Sequence, residues 1–496
     1  MTLTPFELTR FLDEDGEPTA LYRAATRRIA LGFYEDPGDA KLQRWNAEHE
    51  QEMRAVIHGF TDEDTTLAGL PGAQGPHPVA TIFGFPNTVE VGAGAVPAWM
   101  ITGVGVAPTH RRRGILRRMM EPELARVRAE GYGMAALTVS EGEIYGRFGF
   151  GLSTRMITYE LDLTARPRLL PGVVERSGAR QGRIHQAQGR ELVEFGLALR
   201  EPIAGFRAGQ AVRPRGVVEN AVGAVNLAED ELKPDGARQA LVFEGPDGVE
   251  GYAAFNHQGW GSSSPGPNRV VVKDFQAVTT RARVALWEQL LSLDLVDFLE
   301  FRAAPGNELA RALTNPRAVR QIRETDVLWT RILDVARVLE HREYLADGEL
   351  VLLVDDPLGL VTGAYHLRIR DGRAEVVPGR AVTEADAAQG DQVRGDHMGD
   401  EGTGAAAGSG ADDGSGTELP GAHLLAERGE RRTEAEDEPE LAPRVARVRF
   451  PVQLLASAVF QGCEPEVRFG LVTGEGAEEA ARLFAIRREP YCDFIF

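Results

Sequence analysis

Cysteine, lysine and long apolar runs are all scarce in this chain of 496 residues. The two cysteines, Cys463 and Cys492, are too few for a disulfide framework or a cysteine metal site, and they fit a reducing, cytoplasmic location. No apolar run approaches the ~20 residues that a membrane span needs. The first residues lack the basic and apolar segments of a signal peptide, so we expect none. The ten histidines show no metal-ligand spacing, so no metal is expected.

Nucleic acid is not an expected partner, because the formal net charge is −19. Much of that charge is local: residues 384–444 hold 16 acidic and 5 basic side chains, a net of −11 that leaves −8 for the rest. Within this stretch, residues 387–435 are poor in aromatics and periodicity. We expect them to be a disordered acidic insertion in a loop of the last domain, which the slow growth of loop-closure cost tolerates.

The length indicates about three domains at roughly 150 residues each. Residues 1–155 have the pattern of an α/β domain, and residues 156–325 repeat its order of strand, turn, helix and strand. Residues 326–496 have an α+β pattern without catalytic motifs. The fold class predicted from the pattern is therefore α/β followed by α+β, with an internal duplication.

Periodicity predicts the elements of each domain. In the first domain, helices are expected at 21–31, 42–56 and 114–130, and strands at 79–85, 88–94, 99–106 and 134–139, with a turn at 85–87. In the second, strands are expected at 239–243, 251–256, 270–277 and 296–302, and a helix at 282–293. In the third, 328–333 is expected to lead into a helix, with strands at 349–354, 364–369 and 374–377 and helices at 451–460 and 478–486.

The segment from Val104 to Arg117 combines a strand end, a tight turn and a helix start. Its Arg-Arg-Arg-Gly-Ile-Leu run fits the pattern Arg-x-x-Gly, in which backbone N–H groups and the helix dipole attract phosphate. Gly114 would let a pyrophosphate approach, and the arginines would pair with it. His110 is a weaker candidate for a phosphate contact. The alternative is an exposed basic turn at the start of a surface helix.

A tyrosine follows the next predicted strand, in the run Ser-Glu-Gly-Glu-Ile-Tyr-Gly-Arg-Phe-Gly-Phe from Ser140 to Phe150. The preceding segment suits the pyrophosphate of an acyl-coenzyme A. Tyr145 would then lie near the thioester of that cofactor, where it could donate a proton to the departing thiolate. The alternative is an aromatic side chain packed under the sheet. The corresponding turn of the second domain, 278–284, has no glycine, so we expect that copy to pack without binding a cofactor.

Residues 101–151, with these two motifs, resemble the Eis (enhanced intracellular survival) family of N-acetyltransferases. The resemblance implies two tandem GNAT-like acetyltransferase domains, the second degenerate, followed by a sterol-carrier-protein-like α+β domain. It implies acetyl-CoA as co-substrate, and small amines such as aminoglycosides, or lysine side chains, as acceptors. It also implies a homohexamer. Leu116 departs from the small residue usual at the end of the phosphate motif, and the acidic insertion is not a feature of the family.

The resemblance also assigns roles to individual residues. Tyr145 would be the general acid and Phe496, through its own α-carboxylate, the general base. The residues expected to bind the cofactor are Val104, Gly105, Val106, Arg112, Arg113, Gly114, Ile115, Leu116, Arg117, Ser140 and Glu141. Two other functions stay open: acetylation of protein lysines, and lipid binding or scaffolding by the last domain with a vestigial cofactor site.

Overall fold

The computed structural model describes residues 3–62, 77–226, 232–258, 267–379 and 445–496. The predicted acidic insertion at 387–435 lies outside these ranges. The described residues form sheets of seven, seven and four strands. Each sheet marks one of three units, which follow one another along the chain. The exception is one strand from the third part of the chain, which joins the first sheet.

The first unit places four helices around the first sheet. Thr19 and Asp39 begin the first two helices by accepting hydrogen bonds from the backbone N–H groups of Tyr22 and Leu42. The helices are α1 (Ala20–Phe33), α2 (Ala40–Glu52), α3 (Ile115–Ala129) and α4 (Gly142–Gly146). The strands are β1 (Thr4–Leu8), β2 (Val56–Thr61), β3 (Pro78–Glu90), β4 (Ala95–Val106), β5 (Met134–Leu137) and β6 (Gly151–Leu152).

The second unit repeats this arrangement with its own core. Its helices are α5 (Val173–Ser177), α6 (Val193–Ala204), α7 (Arg215–Val222), α8 (Thr280–Leu291) and α9 (Leu309–Ala312). Its strands are β7 (Arg155–Asp162), β8 (Arg183–Gln188), β9 (Arg238–Gly245), β10 (Gly248–Gln258), β11 (Arg269–Ala277), β12 (Phe298–Ala303) and β13 (Val319–Asp326). As in the first unit, a helix connects two strands that pair in parallel, β11 and β12.

The third unit is a four-stranded sheet covered by helices. Its part of the chain begins with β14 (Trp329–Ile332), which joins the first sheet. The unit itself comprises α10 (Val335–Glu340), β15 (Gly348–Asp355), β16 (Gly363–Arg370), β17 (Arg373–Pro378), β18 (Arg447–Pro451), α11 (Val452–Gln461), α12 (Glu464–Arg468) and α13 (Ala477–Leu483). Its core is continuous with one face of the first sheet, since Phe83, Phe450 and Phe494 belong to a single buried cluster. Its likeness to sterol carrier proteins stays a prediction.

One predicted element is wrong. The predicted turn at 85–87 lies inside β3, where Pro86 is opposite Trp99 of β4. The proline is tolerated because β2 stops pairing at Gly84, so its missing N–H costs no ladder bond on that side. The segment 328–333 leads into the helix α10, as predicted. It also contains the strand β14, which completes the first sheet between β5 and β6.

Candidate active site

A gap opens between the two central strands of the first sheet. β4 and β5 pair in parallel only as far as Ile101 and Leu137, and in the described chain residues 102–106 pair with β3 alone. The pairing with β3 shifts by one residue at this point, and Gly103 has a φ of 55°. A Cβ at this glycine would lie 2.9 Å from Ile29 Cδ1. The glycine bulge therefore leaves one edge of β4 open to a ligand.

The turn after β4 presents backbone groups and cations at the outer end of this gap. Gly114 precedes α3 with a φ of 71°, and no heavy atom lies within 4 Å of where its Cβ would be. Arg111, Arg112 and Arg113 are exposed around it. The helix N-terminus, the open space and the arginines together suit a phosphate group.

A partly buried arginine of α1 adds to this cationic end. The Arg28 Nε is buried without a hydrogen-bond partner among the described residues. Burial, together with the nearby charge of Arg111, lowers the pKa of Arg28. Two close guanidinium groups disfavour each other's charge, and an anion between them would relieve that repulsion. The residues present thus fit the phosphates of coenzyme A.

Four other residues of the motif take different positions. His110 is buried, and its Nε2 lies 2.9 Å from Asp62 Oδ2, so the predicted phosphate contact is wrong: the ring holds the turn from beneath. Ile115 is buried and Leu116 half-buried in the core under α3, which leaves their backbone to face a ligand. Arg117 pairs with Glu121 at 2.6 Å on the surface.

Tyr145 lies on α4, directly after the polar residues that follow β5. Its ring is 8% exposed and packs edge-on against Phe150, with centroids 6.1 Å apart. Among the described residues its hydroxyl has no hydrogen-bond partner. Burial and the charge of Glu141 raise the pKa of Tyr145 to about 12, so the phenol keeps its proton at neutral pH. Of the other predicted residues here, Ser140 lines a cavity together with Tyr145, and Glu141 is exposed next to Ser140 in the chain.

Phe496 reaches the inner end of the same strand gap. Thr138, which directly follows β5, donates a hydrogen bond from Oγ1 to the main-chain oxygen of Phe496 at 3.0 Å. The ring packs edge-on against Phe85 with centroids 5.8 Å apart, and Phe494 lies equally close. The tail at 491–496 therefore ends beside the residues that follow β5.

A cavity of about 1260 Å³ joins these groups. Val104, Thr138, Ser140, Tyr145 and Phe496 share its wall. The two charged residues that the first unit contributes are acidic, Glu35 and Glu50, and the neighbouring wall is rich in aromatic rings. The aromatic residues there are Phe33, Trp45, Phe83, Phe85, Tyr145 and Phe496. Carboxylates and aromatic faces are the groups that attract ammonium ions.

The second unit supplies the opposite wall, which carries both charges. Its basic residues there are Arg213, Arg238, Lys273 and Arg302, and its acidic residues include Asp235 and Glu300. Arg238 is already paired with Asp235 at 3.3 Å. The wall supplied by the first unit is therefore the part of the cavity that attracts cations.

Glu50 is a site residue that the sequence did not reveal. The hydroxyl group of Tyr22 donates a hydrogen bond to Glu50 Oε2 at 2.7 Å. Burial raises the pKa of Glu50 from 4.5 to about 7, against the opposing effect of that hydrogen bond. A carboxyl group with such a pKa is a second candidate for a proton acceptor in this cavity. Its spacing in α2 matches any solvent-facing helical glutamate, so the sequence carried no signal for it.

The equivalent turn of the second unit already holds an anion of its own. Thr279 Oγ1 donates to Glu250 Oε2 at 2.6 Å, and Arg281 Nε donates to the same oxygen at 2.7 Å, at the start of α8. This carboxylate neutralises the helix N-terminus that would otherwise attract phosphate. That this unit packs without binding the cofactor stays a prediction.

Comparisons with known proteins agree with this geometry. Residues 23–153 match the acetyltransferase (GNAT) domain family, and residues 224–338 match a second family of the same description. An uncharacterized N-acetyltransferase of Streptomyces griseus is 34% identical over 67% of this chain and 83% of the relative. N-acetyltransferase Eis of Mycobacterium tuberculosis is 31% identical over 58% of this chain and 68% of the relative. The chain belongs to the Eis family of N-acetyltransferases.

A solved structure supports the fold of this Eis-family enzyme over nearly its whole length. Eis1 from Mycobacterium abscessus superposes with a TM-score of 0.67 at 22% identity, covering 98% of this chain and 99% of that one. A GCN5-related N-acetyltransferase from Kribbella flavida gives 0.62 at 16% identity. Acetyl-CoA is the co-substrate of GNAT enzymes in general.

The described residues offer neither a membrane span nor a metal site. No helix there is long and apolar enough to cross a membrane. No group of three or more His, Cys, Asp or Glu side chains there could hold a metal ion.

The raised pKa of Glu50 predicts a pH-dependent loss of stability. Between pH values of about 4.5 and 7 the folded chain keeps a proton that the unfolded chain has released, so stability falls as pH rises through this window. We expect Glu50→Gln to remove about 2–3 kcal/mol of that fall. Urea unfolding at several pH values measures it.

The matched control is Glu48→Gln, an exposed neighbour on the same helix, which should leave the slope unchanged. An unchanged slope in Glu50→Gln would contradict the assignment.

Proposed function

We propose that this Eis-family enzyme transfers the acetyl group of acetyl-CoA to primary amines of aminoglycoside-like polyamines, by direct transfer in a ternary complex. One observation carries the proposal: the open strand edge of β4 leads into a cavity whose near wall is acidic and aromatic. Its volume, about 1260 Å³, exceeds the ~300–1,000 Å³ of an ordinary ligand pocket. A bulky polycation with several amines suits such a space.

The cofactor proposal assigns each motif residue a part. Val104, Gly105 and Val106 would hold the pantetheine arm through backbone groups. Ser140 and Glu141 would line its far side. The phosphates would lie at the turn formed by Arg112, Arg113, Gly114, Ile115, Leu116 and Arg117. Acetyl-CoA itself supplies the activated acetyl group. Holding it beside the amine supplies much of the rate by proximity.

The α-carboxylate of Phe496 is proposed as the general base. Most amines are protonated at neutral pH, so a base must take a proton before the nitrogen attacks the thioester. Phe496 would take it directly or through a water. The hydrogen bond from Thr138 supports this role because it fixes the main-chain oxygen at the cavity wall. Glu50 is the rival base.

Tyr145 is proposed as the general acid. Its hydroxyl has no protein partner in the described chain, and its pKa of about 12 keeps it protonated.

Thiol release from acetyl-CoA with a multi-amine aminoglycoside tests the substrate class. We expect turnover and a product heavier by one or more acetyl groups in mass spectra. A lysine-containing peptide is the comparison acceptor. Turnover of the peptide alone would favour protein acetylation, and turnover of neither, with cofactor still bound, would favour the lipid-binding or scaffold alternative.

Replacing Tyr145 by phenylalanine removes the proton donor and keeps the packing. We expect kcat to fall about 100-fold with little change in the KM of either substrate. Tyr132→Phe, beyond the other end of α3, is the control and should be near wild type. An unchanged kcat in Tyr145→Phe would exclude the acid role.

Substitutions of the two glycines that flank α3 distinguish an effect on cofactor binding from an effect of backbone strain. Gly114 and Gly131 both have positive φ, and both have open space where a Cβ would be. Gly114→Ala and Gly131→Ala should each lose about 1 kcal/mol of stability. We expect Gly114→Ala alone to raise the acetyl-CoA Kd, by about 10-fold, in calorimetric titrations. Equal effects of both changes on the Kd would contradict a phosphate site at Gly114.

From the family resemblance we also expect a homohexamer, a cytoplasmic location and a sterol-carrier-like third unit. Sedimentation of the full chain measures the first of these.

A further inference from the structure

The tail that carries Phe496 is held by a buried polar network of the second unit. Arg213 Nη2 lies 2.8 Å from Asp493 Oδ2, and both side chains are 8% exposed. The same guanidinium donates from Nη1 to both oxygens of Asp274, at 3.0 and 2.9 Å. Gln276 Nε2 donates to Asp274 at 2.8 Å and to Asp493 at 2.9 Å. One tail residue is therefore bound by side chains from the loop before α7 and from β11.

Two further hydrogen bonds hold the tail residues that precede Asp493. The backbone N–H of Tyr491 donates to Ala208 at 2.9 Å, and Arg207 donates to the backbone of Glu489 at 3.4 Å. Beyond Asp493, Phe494 enters the core shared by the first and third units. The tail is thus tied to the second unit at Asp493 and to the first unit at Phe496.

A buried ion pair is a poor source of net stability, because desolvation offsets most of the attraction. Its better-attested use is to select one arrangement among several, since a misplaced partner leaves a charge buried and unpaired. Here the arrangement at stake is the register of the tail. Two residues separate Asp493 from Phe496. A slip of one residue would move the terminal carboxylate by about 3.3 Å, out of reach of Thr138.

We infer that Arg213 is a positioning residue for acetyl transfer: by fixing Asp493, the second acetyltransferase-like unit sets the position of the terminal carboxylate in the active site of the first. This rests on the proposed role of Phe496 as base. It gives the second unit, whose own phosphate turn is filled by Glu250, a function in the reaction of its neighbour.

The pair of Arg213 and Asp493 is called the clamp below. The test is a double-mutant cycle between the clamp and the C-terminus. The variants are Arg213→Met, Asp493→Asn, a chain with two glycines added after Phe496, and each substitution combined with that extension. We expect each clamp variant to lower kcat about 10- to 100-fold while the KM for acetyl-CoA stays the same. In the extended chain, where the carboxylate is already displaced, the same substitutions should have no further effect.

Each outcome is distinct. Clamp variants with unchanged kcat, beside an extension that abolishes activity, would overturn the positioning role and leave the base standing. An extension without effect would overturn the base, and the positioning role with it. Effects that multiply would show that Arg213 acts on the fold and not through the terminus, which also overturns the inference.

Two controls keep the cycle interpretable. Arg215→Met removes an arginine of the same segment that lies 37% exposed and should leave kcat unchanged. If Arg213→Met does not fold, Asp493→Asn carries the test, because it keeps the pair between Arg213 and Asp274. Release of Phe496 by a carboxypeptidase gives a readout without catalysis: we expect it to be faster in both clamp variants, and equal rates would contradict the inference.

Discussion

The separation of β4 from β5 is the constraint on which the rest of the site depends. Strands that pair in parallel along their whole length would leave no room for an extended ligand between them. The glycine bulge at Gly103 ends that pairing beyond Ile101, and the same separation frees the residues after β5 to face the cavity. Thr138 and Tyr145 both lie in that freed segment. The turn at Gly114, the cavity and the contact between Thr138 and Phe496 are arranged around this one local irregularity.

The cavity also explains why the chain needs more than one unit. The first unit supplies the open strand edge and an acidic, aromatic wall, while the second supplies the facing wall and the contacts around the tail. The third unit shares a core with the first sheet and donates a strand to it. The active site is therefore a property of the assembled chain, although its recognisable motifs occupy a short stretch.

Local patterns predicted much of this arrangement. The helix at 115–129, the strands around it and the turn at Gly114 are short-range features, and the sequence located them to within a few residues. The strand β14 was not predictable in this way, because its partners lie almost 200 residues earlier. The turn predicted at Pro86 is absent for a similar reason. The proline is tolerated in β3 because β2 ends its pairing at Gly84, which the sequence around Pro86 does not reveal.

The residues of the site divide in the same way, into those that local patterns reveal and those that depend on long-range contacts. Val104, Ser140 and Tyr145 share a wall with Phe496, as expected from the family resemblance, because strand order brings them together. Three other features have no local signature. The hydrogen bond from Thr138, the raised pKa of Glu50 and the pairing of Arg213 with Asp493 each join residues that are distant in sequence.

We propose that acetyl-CoA binds in the gap between β4 and β5 and presents its thioester to the cavity. A crystal structure with coenzyme A and an aminoglycoside is the most direct test. We expect pantetheine amides paired with the open edge at Val104 to Val106, phosphates over Gly114, and an amine between the thiol and the Phe496 carboxylate. Coenzyme A bound between β11 and β12 instead, with the first gap empty, would contradict this binding mode.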